Sequence, residues 1–245
     1  MIDQFRLEVC KKRIKEAKKI VFFGGAGVST ASGIPDFRSP QGLYNIKSKY
    51  GIPYEVMLSH SFFEKNPKTF FEFYKDTMIN LEAKPNKAHL ALAHYEQKHN
   101  NITVITQNID NLHYEAGSKN VLELHGSEFR NYCTKCHKFF SIEDVKWSVG
   151  IPRCECGGII KPDVVLYEES LDYSILEEAM KACQEADVMI VGGTSLNVYP
   201  AASLVNFYRG DTLIVINKEA TIASKQADYV FVDDITKVLP LLLEE

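Results

Sequence analysis

No stretch of this 245-residue chain approaches the ~18 consecutive apolar residues of a membrane-spanning helix. The N-terminus scatters charges and has no apolar core of a secretory leader, so a cytoplasmic location is expected. Strong charge of either sign is missing too. A formal net charge of −4 offers no bulk electrostatic grip on nucleic acid. There is no low-complexity tract and no internal repeat. What remains is ordinary globular material, 45% hydrophobic and 24% charged. It is enough for one large domain, or one carrying a small insertion.

The densest signal is Gly24-Gly25-Ala26-Gly27-Val28-Ser29-Thr30, running on to Gly33-Ile34-Pro35-Asp36-Phe37-Arg38. It follows Ile20-Val21-Phe22-Phe23, an apolar run that reads as a buried strand. Glycines strip side chains from the backbone and let peptide N–H groups approach a diphosphate, here at the start of an expected helix. The third glycine of the dinucleotide fingerprint is replaced by Thr30, so a plain strand-to-helix turn stays open.

Along the chain, residues 2–18 have helical apolar spacing. Residues 42–84 are dense in aromatics and show no strand pattern. They read as short helices, either a subdomain with an aromatic core or a flap over a nucleotide site. A helix is expected over 86–98, then strands at 102–106 and 121–124. Further strands are expected at 162–167, 188–191, 213–216 and 229–232, with helices over 174–186 and 235–243. Near-continuous apolar strands alternating with helices predict a doubly wound parallel α/β sheet covered on both faces.

Four of six cysteines cluster: Cys133-x-x-Cys136 and Cys154-x-Cys156, separated by 17 residues. Two chelating pairs in a reducing compartment suit one tetrahedral zinc ion. With four thiolates the metal has no open position, so it staples rather than catalyses. His137 is an alternative ligand, and unliganded thiols are the other reading. Cys10 and Cys183 read as core residues.

Polar side chains gather just after the apolar runs: Asp36, Arg38, Asn108, Asp110, His125, Thr194, Ser195 and Asn217. That is where a doubly wound sheet collects its ligand residues. His125 is the one histidine so placed, a candidate general base. The other histidines, His89 and His113 among them, read as structural or exposed.

Taken together these blocks resemble the sirtuins, the NAD-dependent protein-lysine deacylases, over essentially the full length. The matching blocks are Gly25–Ser29, Gly33–Arg38, Thr106–Asp110, His125-Gly126, the four cysteines, Gly193-Thr194-Ser195 and Ile216-Asn217. The resemblance implies a Rossmann-like domain (1–41, 85–128 and 162–245) with a small domain made of a helical module (42–84) and a zinc ribbon (129–161). NAD would be co-substrate and one zinc structural. Gly25, Ala26, Gly27, Thr30, Arg38, Gly193, Thr194 and Ser195 would hold the diphosphate. Asn217 and Ile235 would serve the adenosine end, and Gln107 the nicotinamide ribose. Ile34, Asp36, Phe37, Asn108, Ile109 and Asp110 would line the nicotinamide pocket. In the implied reaction the acyl-lysine amide oxygen attacks the nicotinamide ribose and nicotinamide leaves. His125 then deprotonates a ribose hydroxyl, with Asn108 and Asp110 assisting, and free lysine and O-acetyl-ADP-ribose result. The substrate would be acetylated lysine in a peptide lying as an added strand between Val164–Tyr167 and Ser195–Tyr199, touching Val165, Tyr167, Glu168, Asn197 and Val198. A monomer acting without nucleic acid or membrane is expected.

Three features depart from the family pattern. Tyr167-Glu168-Glu169 stands where many sirtuins have Phe-Gly-Glu, which predicts a preference for basic residues near the acetyl-lysine. The second cysteine pair is one residue short. The run Phe71-Glu72-Phe73-Tyr74 offers no arginine for an acidic acyl chain, so acetyl or a longer apolar acyl group is expected. Competing readings are ADP-ribosyl transfer or NAD hydrolysis, a longer-chain deacylase, a non-catalytic NAD sensor and, weakest, a dehydrogenase.

Overall fold

Five-residue apolar runs, too short for stable helices, become the central strands. The computed structural model describes residues 2–37, 39, 42–45, 50–221 and 223–244. Helix α1 (Gln4–Glu16) starts at Asp3, whose carboxylate accepts from the Arg6 N–H, and buries Leu7, Cys10 and Ile14. Strand β1 (Ile20–Gly24) leads into two 3₁₀ turns, Ala26–Val28 and Thr30–Ser32, rather than the α-helix expected there. A third turn covers Leu43–Asn45. Helices α2 (Tyr54–Met57), α3 (His60–Lys65) and α4 (Pro67–Phe73) follow, and a single π turn, Tyr74–Met78, ends the module. Then come α5 (Lys87–His99), β2 (Ile102–Thr106), α6 (Leu112–Ala116) and β3 (Val121–Glu123). Strands β4 (Gly126–Cys133) and β5 (Phe139–Phe140), helix α7 (Ile142–Lys146) and β6 (Ile160–Val164) form the ribbon region. The chain finishes with α8 (Tyr173–Glu185), β7 (Val188–Gly192), a 3₁₀ segment at Ala201–Phe207, β8 (Thr212–Asn217), a 3₁₀ turn at Ala223–Lys225, β9 (Tyr229–Val232) and α9 (Ile235–Leu243).

Six strands form one parallel sheet in the order β3-β2-β1-β7-β8-β9. The order runs backwards from β1 to β3 and forwards from β7 to β9. The switch therefore falls between β1 and β7, where Gly24 lies opposite Gly192. A crevice opens at such a point beyond the strands' carboxyl ends. Alternate residues of β1 face opposite ways. Phe22 packs with Ile102, Ile190 and Ile214 under α1, α5 and α9, while Val21 and Phe23 pack with Ile105, Met189 and Val215 under α8 and the 3₁₀ segment. Each buried phenylalanine contributes roughly 1.5–3 kcal/mol.

The second sheet is antiparallel, β5-β4-β6. The strand expected at 162–167 is thus displaced to Ile160–Val164, and it belongs to this sheet. Helical module and ribbon share one core: Phe63, Phe70, Phe71 and Tyr74 cluster with Cys133, Ile142, Val145, Cys154 and Ile160. Lys75 and Lys146 tie the two parts together. The Lys75 ammonium donates to the Ser148 and Gly150 carbonyls, and the Lys146 ammonium to those of Lys75 and Ile79. Among the described residues no helix is long and apolar enough to cross a membrane.

Candidate active site

The two loops at the switch point meet backbone to backbone. The Gly27 N–H donates to the Gly193 carbonyl at 2.8 Å. A Cβ on Gly193, whose φ is +60°, would stand 2.5 Å from the Val28 nitrogen. The glycines thus bring β1's loop onto β7's loop, and one N–H expected to face a ligand is spent holding them together. Thr30 Oγ1 donates to the Gly27 carbonyl at 3.1 Å and closes the turn. Ala26 sits half-buried in the same turn.

Side chains from neighbouring strand ends then interlock. The Gln107 amide donates to Thr194 Oγ1 at 2.9 Å. Asn217 accepts from the Thr194 N–H at 3.1 Å and donates to its carbonyl at 2.9 Å, bracing β7 against β8. Ser195 is half-buried next to this brace.

His125 is half-buried at the end of β3. Its Nδ1 lies 2.9 Å from the Gln107 carbonyl. A carbonyl only accepts, so Nδ1 carries the proton and Nε2 keeps its lone pair. Burial pushes the imidazole pKa down from 6.5, partly offset by that hydrogen bond. The ring is therefore neutral near pH 7, with a bare nitrogen.

Beyond it lies a buried polar chain. Ser29 donates to Asp110 Oδ2 at 2.6 Å and accepts from the Asn108 amide at 2.9 Å. The Leu112 N–H holds the other carboxylate oxygen at 3.0 Å. Burial raises the Asp110 pKa, and the bonds from Ser29, Leu112 and Asn108 oppose the rise. His89 Nδ1 accepts from the Asn86 N–H, so in the neutral ring Nε2 carries the hydrogen and points it at Ser29, 3.5 Å away. Burial lowers the His89 pKa to about 4 and that of His113, packed on it at 4.8 Å, to about 3. Ser29 and His89 were not among the expected site residues. Ser29 stood inside a recognised block, but nothing in the spacing links it to His89, 60 positions away.

Asp36 accepts from the Ser39 N–H at 2.8 Å, Phe37 packs against Tyr44, and Ile34 is half-buried behind the turn. The Ile109 carbonyl accepts from the Glu128 N–H at 3.1 Å. Arg38 lies outside the described residues. Ile235 is buried in the core against Gly192, so its side chain supports the sheet. On the other rim, the Val165 N–H donates to the His125 carbonyl at 3.0 Å, and Tyr167 and Glu168 are exposed. Asn197 is exposed and Val198 half-buried. Glu168 takes a left-handed φ of +76°, and its carboxylate accepts from the Ser61 N–H at 2.9 Å and hydroxyl at 3.0 Å.

The sulfurs of Cys133, Cys136, Cys154 and Cys156 all lie within 4.8 Å of one another, with three contacts of 3.3, 3.4 and 3.6 Å. A tetrahedron of Zn–S bonds of about 2.3 Å has edges of this size. A Cβ on Gly158 would stand 2.5 Å from Cys133 Sγ, so the knuckle leaves room for sulfur alone. The shortened second pair still closes the set, and the residues fit one zinc ion.

The Sir2 family model matches residues 25–200. An NAD-dependent protein deacetylase of Clostridium acetobutylicum is 55% identical over 97% of this chain and 98% of its own. That of Staphylococcus aureus strain N315 is 43% identical over 98% of both. A solved Sir2 histidine-to-alanine variant with deacetylated p53 peptide and 3′-O-acetyl ADP ribose superposes with a TM-score of 0.89, 37% identity and 97% coverage of both chains. A Sir2–p53 peptide–NAD+ structure superposes at 0.85, with 38% identity and 95% coverage of both.

Proposed function

The chain belongs to the Sir2 family, and we propose that it is an NAD-dependent protein-lysine deacetylase. The observation that carries the reading is a neutral, half-buried His125 with a bare Nε2, at the carboxyl edge of a sheet whose switch-point loops meet through glycine. When bound, NAD supplies the acceptor: nicotinamide leaves and the acetyl group ends on the ribose as O-acetyl-ADP-ribose. His125 takes the proton of a ribose hydroxyl on Nε2. Asn108 and Asp110, fixed by Ser29, line the nicotinamide end. The loops of Gly25–Thr30 and Gly193–Ser195 face the diphosphate, with Arg38. Asn217 and the start of α9 at Ile235 serve the adenosine end, and Gln107 the nicotinamide ribose. Phe37, Ile34, Asp36 and Ile109 exclude water from the reacting carbon.

The peptide adds as a strand between 164–167 and 195–199, where backbone pairing gives affinity with loose sequence preference. Acetylated proteins are the partners. The structural zinc holds the ribbon that frames the groove. The four close thiols need a reducing surrounding, which supports a cytoplasmic location. The division into 1–41, 85–128 and 162–245 against 42–84 and 129–161 is supported by the separate aromatic core that helical module and ribbon share.

The test is mass spectrometry of an acetyl-lysine peptide with and without NAD, for the wild type and His125→Ala. NAD-dependent loss of acetyl with O-acetyl-ADP-ribose formed, and an inert variant, is the expected result. NAD consumed with the peptide still acetylated points instead to a hydrolase, an ADP-ribosyltransferase or another acyl preference.

A further inference from the structure

One hydrogen bond joins the cofactor loop to the peptide rim. The hydroxyls of Tyr44 and Tyr167, 123 positions apart, meet directly. Each tyrosine is anchored on its own side. The Tyr44 N–H donates to the Phe37 carbonyl at 2.9 Å, and its ring packs on Phe37 at 5.4 Å. The neighbouring Leu43 N–H donates to the Asp36 carbonyl at 2.8 Å. Tyr44 therefore moves with Asp36 and Phe37. The Tyr167 N–H donates to the Leu58 carbonyl, and its own carbonyl accepts from the His60 N–H, both at 3.0 Å. Tyr167 is thereby fixed to the helical module, while its side chain stays exposed enough for a peptide to reach.

Building on the deacetylase reading, we propose that the Tyr44–Tyr167 hydroxyl pair is a latch: it couples occupancy of the peptide groove to the position of Asp36 and Phe37 at the nicotinamide end. The two phenols are positioning residues. A peptide lying along 164–167 restricts Tyr167. The shared hydrogen bond passes that restriction to Tyr44, and backbone bonds pass it on to Phe37. Linkage makes the effect reciprocal: nucleotide that fixes Asp36 and Phe37 tightens peptide binding by the same factor. Phenylalanine at either position keeps the ring and removes the hydroxyl bridge.

The experiment is calorimetry of an acetyl-lysine peptide with and without saturating ADP-ribose, for the wild type, Tyr44→Phe, Tyr167→Phe and the double variant. Melting temperatures serve as a control for folding. The ratio of the two peptide affinities is the coupling. Each single variant is expected to reduce it by roughly three- to tenfold, the value of one neutral hydrogen bond. The double variant is expected to lose no more than either single one, because both remove the same bond. Wild-type coupling retained in both single variants, losses that multiply in the double variant, or a wild type with no coupling each overturn the latch while leaving the deacetylase reading intact. A wild type that binds ADP-ribose but takes no acetyl-lysine peptide overturns the deacetylase reading, and the latch with it.

Discussion

The Nδ1–H of His125 donates to the backbone carbonyl of Gln107 at 2.9 Å. Gln107 is itself held, its N–H on the Gly24 carbonyl and its side chain on Thr194. The base is therefore tied by one bond to the ends of β1, β2 and β7. Its tautomer follows from the backbone and does not depend on a second side chain. His125→Ala is expected to lower turnover by about 10²–10⁴-fold, the usual worth of a general base. The pH profile should carry the same signature. Catalysis needs the neutral ring, and burial sets its pKa below 6.5. The rate should fall on the acid side with a midpoint under 6.5. A midpoint above 7 would contradict the assignment.

Ser29 is the next link. Its hydroxyl donates to Asp110 and accepts from the Asn108 amide, which brings the two into a single arrangement. In Ser29→Ala a buried carboxylate loses a 2.6 Å hydrogen bond. A charge-assisted bond contributes about 1.5–3 kcal/mol, so a loss of roughly ten- to hundredfold in kcat/KM is expected. The same lost bond should also lower the melting temperature by several degrees, because the buried carboxylate keeps fewer partners, so the kinetics are read where the variant is fully folded. Unchanged kinetics in this variant would remove Ser29 from the site.

The histidine pair behind Ser29 makes the fold acid-sensitive. His113 is buried, and neither of its ring nitrogens has a hydrogen-bond partner among the described residues. Both histidines titrate lower in the folded chain, at about 4 for His89 and about 3 for His113, than the 6.5 of an unfolded one. Below 6.5 the unfolded chain binds protons that the folded chain refuses. Stability is therefore full above 6.5 and falls as pH drops toward 4 and 3. The loss is on the order of 3 kcal/mol for His89 alone. His113→Phe fills the same space without polar atoms. It should hold or raise the melting temperature and flatten its decline between pH 6.5 and 4. A melting curve with the same acid slope as the wild type would show that another group carries it.

The parallel sheet was legible because its strands are buried on both faces and read as bare apolar runs, such as Val188–Val191. Strand β4 was not. Gly126-Ser127-Glu128-Phe129-Arg130-Asn131 is mostly polar, and three of these polar residues are buried. Asn131 donates to the Glu128 carbonyl and Ser127 accepts from the Phe129 N–H, so local side-chain bonds replace the apolar signal. Pro162 similarly shifted the expected strand, since proline marks an irregular position in a ladder. The site divides in the same way. His125, Asn108 and Asp110 follow directly on strands and stand out. His89 sits in a helix, and its role depends on a partner that only the fold supplies.

The zinc site should be felt well beyond the ribbon. Cys133 and Cys154 are buried in the core that also holds Phe70, Phe71 and Tyr74. Removing the metal leaves four thiols crowded together and frees the strands that cover those rings. One zinc per chain is expected by elemental analysis. Cys156→Ser or chelation should remove it, lower the melting temperature by several degrees and abolish deacetylation together. Full activity in a metal-free preparation would separate the ribbon from the groove.

Glu168 decides what the groove prefers. It occupies a left-handed conformation that costs a non-glycine residue about 1–2 kcal/mol. Its carboxylate offsets part of that cost by holding the Ser61 N–H and hydroxyl at the first turn of α3. The negative charge stays exposed at the rim, beside Tyr167. Two effects therefore oppose each other in Glu168→Gly: strain is relieved, and a helix start loses its acceptor. Stability should change by less than about 1 kcal/mol. Specificity should change more. On a peptide array the wild type is expected to favour lysine or arginine near the acetyl-lysine, by a few-fold at an exposed site and less at high salt. The glycine variant should show a flat profile. Glu168→Gln separates the two contributions, because its amide oxygen still accepts from Ser61 while the charge is gone. If the glutamine variant keeps the basic preference, the selectivity comes from the shape of the rim. If it loses the preference with the melting temperature unchanged, the charge alone sets it.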